Sequence, residues 1–276
     1  MKNIESKLED KASEKFWSAT WAESTLPVPV DPRDASLRNY LNRIFHKKFV
    51  SLFSQKETHN QKLLEIGCAR SAWLPYFAKE FNFKVSGLDY SPLGCEMAEE
   101  LLRRNDIKST IVCADLFSPP EDMIGQFDVV CSFGVVEHFD STSACLAALS
   151  KFLKPGGIIV TSIPNMTGAI GLLQKITNKP VYDIHVPIDR EMLLSAHEKA
   201  EFQIIENDYF MSVGFGVCNL TGVKTGTFSY YFKKVMLGIL SRMSMVIWRI
   251  EDSVGPLLST KLLSPFIFCV ARKLDK

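Results

Sequence analysis

The stretch "LLEIGCARSAWLPYFA", residues 63–78, begins like a nucleotide-binding turn and departs from that pattern after Gly67. An apolar run carrying Glu65 and ending at Gly67 is typical of the first strand-to-helix turn in a doubly wound α/β sheet. A dinucleotide site needs two further glycines, and Ala69 and Ala72 stand at those positions, which weakens the case for a phosphate ligand. A ligand that ends in an amino acid needs instead an acid near its ammonium group and one close backbone approach. Glu65 and Gly67 supply both.

Seven short apolar runs predict seven strands. They are "KLLEIG", "FKVSGLD", "STIVCAD", "FDVVCSF", "GIIVTSIP", "FQIIENDYF" and "PFIFCVAR". Helices between the first five runs are predicted to begin near Ser71, Ser91 and Ser141. Ser91 and Ser141 resemble N-cap residues, and Pro92 occupies the first helical position after Ser91. Strands without polar alternation, separated by helices, indicate a parallel sheet covered on both faces.

The composition is that of a chain that can bury a full core. It has 276 residues, of which 46% are hydrophobic. Its 32 basic and 31 acidic residues leave a formal charge of +1, so no global basic field is present to gather nucleic acid. Nucleic acid is therefore not an expected partner.

Cysteine usage and the N-terminus predict a cytoplasmic location. The seven cysteines include no CxxC pair and lie mostly in apolar runs, which is typical of buried thiols in a reduced cytosol. The segment "MKNIESKLEDKASEKFW" is charged and lacks the apolar core of a signal peptide. No uncharged apolar stretch reaches about 18 residues, so no transmembrane segment is predicted.

Acidic side chains stand where successive predicted strands end. Asp89 ends the second strand, where a carboxylate can accept hydrogen bonds from both hydroxyls of a ribose. Asp115 ends the third strand, where it can accept from an adenine amino group while Leu116 offers its backbone. Each such bond is worth roughly 1.5–3 kcal/mol when desolvated. A lone acid at a strand end is often a helix cap. Three acids in register, Glu65, Asp89 and Asp115, indicate instead an adenosine whose tail is an amino acid.

The run from about residue 61 to 165, and more loosely the chain to its C-terminus, resembles class I S-adenosylmethionine-dependent methyltransferases. The resemblance is carried by "LLEIGCA", "GLDYS", "CADLF", "FGVVEHF" and "LKPGG". It implies a Rossmann-like, doubly wound sheet of seven strands that is mostly parallel, with the last strand antiparallel. It also implies S-adenosyl-L-methionine as the cofactor. The cofactor-binding residues that follow from it are Glu65, Gly67, Cys68, Ala69, Asp89, Tyr90, Asp115, Leu116, Phe133 and Gly134.

The chain departs from this family at the first turn. Ala69 stands where the family usually has a second glycine, and Arg70 follows it. The additional methyl group is tolerated if the turn keeps a negative φ at Ala69. Trp73, in the first turn of the next helix, either packs on the sheet or forms a wall of the site.

The sequence divides into four parts. Residues 1–58 are expected to form an N-terminal lid with a docked helix, whose apolar stripe lies within residues 36–54. Residues 59–210 form the predicted cofactor-binding methyltransferase core, residues 211–259 an insertion or cap, and residues 260–276 the final strand. The stretch "FWSATWAESTLPVPVDPRD" in the first part is too rich in proline to be helical throughout.

The insertion contains a predicted amphipathic helix over about residues 228–250. One face carries Phe232, Val235, Met236, Ile239, Met243, Val246 and Ile250, and another carries Lys234, Arg242 and Arg249. Two interpretations remain open. The helix is either a cap packed over the ligand edge of the sheet, or it lies on a membrane surface or grips a lipid-like acceptor.

Methyl transfer from a sulfonium needs alignment and exclusion of water more than a conspicuous catalytic group. An acceptor hydroxyl would still benefit from a base. His138 is the catalytic candidate, because it follows the fourth strand and has an ordinary pKa near neutrality; the alternative is a packing histidine. Glu137 either orients it or is solvated. Gly134 stands where a metal-binding Glu-x-x-Glu-His set would begin, so no metal is predicted.

Substrate contacts are expected from five residues: Trp17, Trp21, Asn165, Tyr182 and His185. Tyr182 and His185 lie in "VYDIHVPIDR", where family acceptor loops lie, although loop packing explains them as well. Asp189 in the same stretch is predicted to be the N-cap of the helix "REMLLSAHEKA".

The leading hypothesis is therefore a methyltransferase with a small-molecule acceptor, most simply at oxygen. Acceptor classes are a sugar or glycan precursor, a lipid-like compound and a specialised metabolite. Two alternatives stay open. One is a non-catalytic binding protein on a methyltransferase scaffold, and the other is a nicotinamide-dependent oxidoreductase, which needs phosphate-binding glycines that this chain lacks.

Overall fold

The computed structural model of the chain describes residues 8–54 and 56–274. Its centre is a seven-stranded sheet made of β1 Lys62–Ile66, β2 Lys84–Asp89, β3 Thr110–Cys113, β4 Phe127–Phe133, β5 Leu153–Pro164, β6 Phe202–Phe210 and β7 Phe266–Lys273. The strand order is β3-β2-β1-β4-β5-β7-β6, and β7 runs antiparallel to both of its neighbours. The prediction of seven strands with an antiparallel last strand is confirmed.

Helices cover both faces of the sheet. They are α1 Glu14–Ala22, α2 Tyr40–Phe53, α3 Trp73–Phe81, α4 Pro92–Arg104, α5 Thr142–Ser150, α6 Ala169–Thr177, α7 Lys179–Asp183, α8 Arg190–Lys199 and α9 Phe228–Val254. The predicted N-caps Ser91, Ser141 and Asp189 are confirmed, since each side chain accepts a backbone N–H of its helix. The sequence pattern missed α6, because its N-cap residue is Gly168, which has no side chain to signal the start of the helix.

An aromatic cluster fills one face of the sheet. Phe45, Phe49 and Phe53 of α2 are buried, as the predicted stripe requires, and the Phe49 ring lies 4.9 Å from that of Phe77 on α3. Trp73 joins this cluster with its ring 5.3 Å from Phe49. Of its two predicted roles, Trp73 therefore has the packing role. The opposite face is covered by α5 and α8.

The 27-residue helix α9 docks through one side only. Within it, Ser244 accepts the backbone N–H of Phe215, and Trp248 Nε1 donates to the carbonyl oxygen of Val213. No residue of α9 lines the cavity described below, so the structure does not place this helix as a cap over the ligand edge. Among the described residues, no helix is both long and apolar enough to cross a membrane.

Candidate active site

A cavity of about 800 Å³ lies beyond the carboxyl ends of β1, β2 and β4. The strand order reverses between β1 and β4, and helices that leave neighbouring strands toward opposite faces open a crevice at such a point. The volume falls within the ~300–1,000 Å³ that is typical of small-molecule sites. The predicted cofactor residues that line it are Gly67, Ala69, Asp89, Tyr90, Asp115, Leu116, Phe133 and Gly134.

The N-terminal segment forms another wall of this cavity, through Leu8, Asp10, Trp17 and Trp21. It is held by Lys11, whose backbone N–H donates to the His138 carbonyl oxygen at 2.9 Å. The Tyr90 hydroxyl donates to Asp10 Oδ2, also at 2.9 Å. The structure thus brings both predicted tryptophans to the cavity. Leu8 and Asp10 were missed, because the charged terminal segment has no pattern that indicates where it docks.

The turn after β1 depends on Gly67, which has a φ of +75°. A Cβ atom there would lie 2.5 Å from Cγ2 of Val135, so the position admits no side chain without a shift. Ala69 keeps a negative φ, and the positive value of +54° falls at Arg70. A Cβ at Gly94 would lie 2.5 Å from the Ala69 methyl group, so a glycine on α4 makes room for that methyl. This packing accommodates the departure from the family pattern.

Glu65 and Cys68 do not line the cavity. The buried Glu65 carboxylate accepts a hydrogen bond from the Ser71 hydroxyl, whose oxygen in turn accepts the backbone N–H groups of Trp73 and Leu74 at 3.1 Å. Burial raises the pKa of Glu65 to about 8. Glu65 therefore holds the turn to the start of α3. The Cys68 thiol is turned toward Gly87 on β2.

Asp89 joins the turns that follow β1 and β2. Its Oδ2 accepts the backbone N–H of Ala69 at 3.0 Å, and its Oδ1 accepts that of Ser91 at 2.8 Å. Burial raises the pKa of Asp89, and the two N–H groups act in the opposite direction. Each carboxylate oxygen can accept more than one hydrogen bond. The side chain is therefore fixed in place and keeps acceptor capacity for a ligand in the cavity.

Asp115 follows β3 at the far side of the cavity. Its Oδ1 accepts the backbone N–H of Phe117 at 2.9 Å, which closes a short turn of the Asx type. The carboxylate is otherwise exposed, and Leu116 beside it is 8% exposed. Both residues line the cavity, as predicted.

His138 is buried, and the ring of the half-buried His185 lies 4.6 Å from its ring. Nδ1 of His138 lies 2.8 Å from the Ile184 carbonyl oxygen, and Nδ1 of His185 lies 2.6 Å from that of Val181. A carbonyl only accepts, so both Nδ1 atoms carry the proton and each Nε2 is left as an acceptor. Burial lowers the pKa of both rings, that of His185 to about 4. His138 lines the cavity as an uncharged imidazole, and His185 lies behind it.

Glu137 lies beside the two histidines and is 1% exposed. Within the described part of the chain neither of its carboxylate oxygens has a hydrogen-bond partner, and Oε1 lies 4.0 Å from Nε2 of His138. Glu137, His138 and His185 each offer one ligand atom, all within 4.8 Å of one another. Carboxylate and imidazole ligands are those that transition metals take in proteins, so these are the residues that could hold such an ion.

Glu137→Gln is expected to flatten the pH dependence of stability. Burial raises the pKa of Glu137 to about 8, whereas an unfolded glutamate titrates near ~4.3. At a pH between these two pKa values, Glu137 keeps a proton in the folded state that it has released in the unfolded state. The free energy of unfolding therefore falls as pH rises, by up to about 1.4 kcal/mol per pH unit for each such group.

Urea unfolding at several pH values between about 5 and 8 measures this slope. Glu65 keeps its own contribution in the variant, so the slope should become smaller without vanishing. Glu121→Gln, at an exposed acid, is the matched control and should leave the slope unchanged. Equal slopes in the wild-type chain and in Glu137→Gln would show that Glu137 is ionised in the folded state.

Asn165 and Tyr182, two of the five residues expected to contact a substrate, are not among the residues that line the cavity. The Asn165 amide donates to the carbonyl oxygens of Lys261 and Ser264 at 2.8 and 3.0 Å. It therefore ties the end of β5 to the segment before β7. The Tyr182 ring lies 5.4 Å from the ammonium nitrogen of Lys175 on α6.

Comparisons with known proteins agree with this architecture. A family model described as a methyltransferase domain matches residues 64–161. The ubiquinone biosynthesis O-methyltransferase of Psychrobacter cryohalolentis is 27% identical over 165 residues, which cover 56% of this chain and 61% of that protein. The ribosomal protein L11 methyltransferase of Thermosipho africanus is 36% identical over 101 residues, or 36% of each chain. The chain thus spans 36% and 61% of the length of these two relatives.

Among solved structures, Haemonchus contortus phosphoethanolamine N-methyltransferase 2, in complex with S-adenosyl-L-methionine, superposes with a TM-score of 0.62. The identity is 17%, and the match covers 96% of this chain and 58% of that one, so it shows a shared fold. The region matched by the family model runs from β1 into β5 and contains the turns after β1, β2 and β4. Because this match and the strand order coincide, residues 64–161 form a methyltransferase domain, and the sheet has the fold of class I S-adenosylmethionine-dependent methyltransferases.

Proposed function

We propose that the chain transfers a methyl group from S-adenosyl-L-methionine to an oxygen atom of a small molecule. The observation that carries this proposal is the Asp89 carboxylate, buried and fixed by two backbone N–H groups at the wall of a cavity at the point of strand reversal. A ligand with a ribose suits such an acceptor, because its two neighbouring hydroxyls are both donors. The ubiquinone-pathway relative, by its name an O-methyltransferase, supports oxygen as the acceptor atom.

The residues around the cavity fit this cofactor in chemical character. Asp89 would accept from the ribose hydroxyls, and Asp115 with Leu116 would hold the adenine. The tight turn at Gly67 and Ala69 would admit the methionine end. When bound, the cofactor supplies a methyl group that its sulfonium sulfur has already activated.

The acceptor side of the cavity is proposed to be formed by His138 and the two tryptophans. Nε2 of His138 is unprotonated, so it can take the proton of an acceptor hydroxyl. Trp17 packs its ring 5.2 Å from that of His138 and 5.3 Å from that of Trp21, so these rings form an aromatic wall at this end of the cavity. Nε1 of Trp21 is buried and has no hydrogen-bond partner among residues 8–54 and 56–274, so it could donate to a polar group of the acceptor.

The same contacts support a lid role for the N-terminal part of the chain. Residues 8–22 cross the cavity and are held by hydrogen bonds to residues after β2 and β4, including one of 2.8 Å between the hydroxyls of Ser18 and Ser91. An acceptor must then fit within the cavity or enter as that segment moves. This enclosure favours a small molecule over a protein or nucleic acid.

Isothermal titration with S-adenosyl-L-methionine, and separately with its demethylated product, tests the cofactor assignment. A heat of binding and a raised melting temperature are expected with both ligands. If neither is observed at about millimolar ligand concentration, the cofactor assignment is contradicted. Titration of NADH fluorescence tests the nicotinamide alternative, for which no binding is expected. Cofactor binding without transfer to a broad panel of alcohols and phenols would favour a non-catalytic binding protein.

Asp89→Ala is expected to weaken binding of S-adenosyl-L-methionine about tenfold to a hundredfold. The variant removes a charged acceptor, and this range corresponds to the loss of about one charge-assisted hydrogen bond, worth roughly 1.5–3 kcal/mol. The dissociation constant from titration is the measurement. Asp122→Ala, at an exposed acid remote from the cavity lining, is the matched control. If Asp89→Ala binds as tightly as the wild-type chain, the ribose does not lie at Asp89.

A further inference from the structure

A continuous apolar stripe runs along the exposed side of α9. Its members are spaced three or four residues apart and are 48–87% exposed; they are Phe228, Phe232, Val235, Ile239, Met243, Val246, Ile250 and Val254. This set is called the α9 stripe here. At about 1.5 Å per residue it extends for roughly 40 Å. An uncovered apolar surface of this length indicates an interaction site, because monomeric proteins rarely leave one open to water.

The fold itself does not cover the α9 stripe. The side chains that dock α9 onto the core, Ser244, Trp248 and Glu251, project from the opposite side of the helix at 100° per residue. Glu251 is buried and accepts the hydroxyl of Tyr40 at 3.0 Å. The stripe is therefore directed away from the core along the whole length of the helix.

The charges beside the α9 stripe are all positive. Arg242 and Arg249 are exposed along one edge of the stripe and form no ion pair within the described residues. The two acids of α9 are engaged within the fold. Glu251 accepts the Tyr40 hydroxyl, and Asp252 forms an ion pair with Arg43 at 2.7 Å. The exposed side of the helix thus combines an apolar strip with unneutralised guanidinium groups.

We propose that the α9 stripe lies in the surface of an anionic lipid bilayer, with its apolar side chains at the boundary between headgroups and acyl chains. Lipid phosphates neutralise Arg242 and Arg249, and the aromatic rings at the start of the helix suit the interfacial region. A second copy of the chain is the competing occupant. Two stripes packed together would oppose like charges, since neither helix offers an unpaired carboxylate. Charge complementarity therefore favours the bilayer, and this inference does not depend on methyl transfer.

Vesicle flotation of the full chain tests the inference. One set of vesicles contains phosphatidylcholine alone, and the other contains phosphatidylcholine mixed with phosphatidylglycerol. Binding is expected to the mixed vesicles and to decrease as salt is added. The double variant Ile239→Glu, Val246→Glu should lower that binding at least about tenfold, because it places carboxylates within the apolar strip. Arg242→Gln and Arg249→Gln should each lower it about fivefold.

Ile124→Glu is the matched control, because Ile124 is 45% exposed and lies outside α9. It should bind the mixed vesicles as the wild-type chain does. Thermal unfolding of every variant shows whether the fold is kept, since the substituted side chains are exposed. Absence of binding to the mixed vesicles, or equal binding by the stripe variant, overturns the inference. So does a concentration-dependent dimer in sedimentation that the stripe variant abolishes, which would show that a second copy covers the stripe.

Discussion

His138→Ala is expected to lower kcat for methylation of a hydroxyl acceptor by about 10²–10⁴-fold and to leave the cofactor dissociation constant unchanged. The Nδ1–H of His138 is committed to the Ile184 carbonyl oxygen, so Nε2 is the ring nitrogen left to accept a proton, and His138 lines the cavity. Burial lowers the pKa of this ring, which keeps Nε2 unprotonated at neutral pH. Loss of the ring removes the acceptor for the hydroxyl proton. Single-turnover and steady-state assays with labelled cofactor measure the effect, once an acceptor is found in the panel.

Two comparisons separate a base from a packing histidine. His59→Ala removes an exposed imidazole and should keep wild-type kcat. An acceptor phenol that is already ionised at the assay pH needs no base, so His138→Ala should lose far less activity with it than with an alcohol. A uniform loss with both acceptors, or a cofactor dissociation constant that rises in parallel, would show that His138 acts by packing.

Gly67→Ala is expected to lower the free energy of unfolding by about 2–5 kcal/mol. About 1–2 kcal/mol comes from forcing an L side chain to a left-handed φ, here +75°. About 1–3 kcal/mol more comes from overpacking, since the new Cβ would lie 2.5 Å from Cγ2 of Val135. Equilibrium unfolding in urea without cofactor measures the change.

Gly125→Ala isolates the backbone part of this effect. Gly125 has a φ of +65°, and among the described residues no atom beyond its two chain neighbours lies within 4 Å of a Cβ built there. The Gly125→Ala substitution should therefore lower the free energy of unfolding by only about 1–2 kcal/mol. Adding Val135→Ala to Gly67→Ala should recover part of the remaining loss by removing the clash. Equal losses in Gly67→Ala and Gly125→Ala would mean that the turn moves to relieve the contact with Val135.

The sheet and the cofactor side of the cavity were predictable because they depend on local patterns. Buried parallel strands leave long apolar runs, and their carboxyl ends meet at one edge whatever the loops do. Asp89 and Asp115 could therefore be placed together from their positions in the sequence alone. The same reasoning did not anticipate the hydrogen bond from the Ser71 hydroxyl to the Glu65 side chain, because a strand position does not reveal which side chain six residues later will bind it.

Contacts between distant segments were not predictable. Nothing local in "VYDIHVPIDR" indicates that His185 lies against His138. Likewise, nothing local in "SIPN" indicates that the Asn165 amide donates to two carbonyl groups of the segment before β7. Such pairings depend on how loops close over the sheet, and loops carry no regular period in their sequence.

The amino-acid sequence by itself determined the strand count, the helix caps and the acids at the edge of the sheet, because hydrophobic period and capping chemistry act over a few residues. Only the tertiary structure decided which side of α9 docks. The sequence shows an apolar face on that helix and normally predicts that such a face is buried. In the folded chain Trp248, Ser244 and Glu251 take the docking positions through hydrogen bonds, and the apolar face is left on the outside.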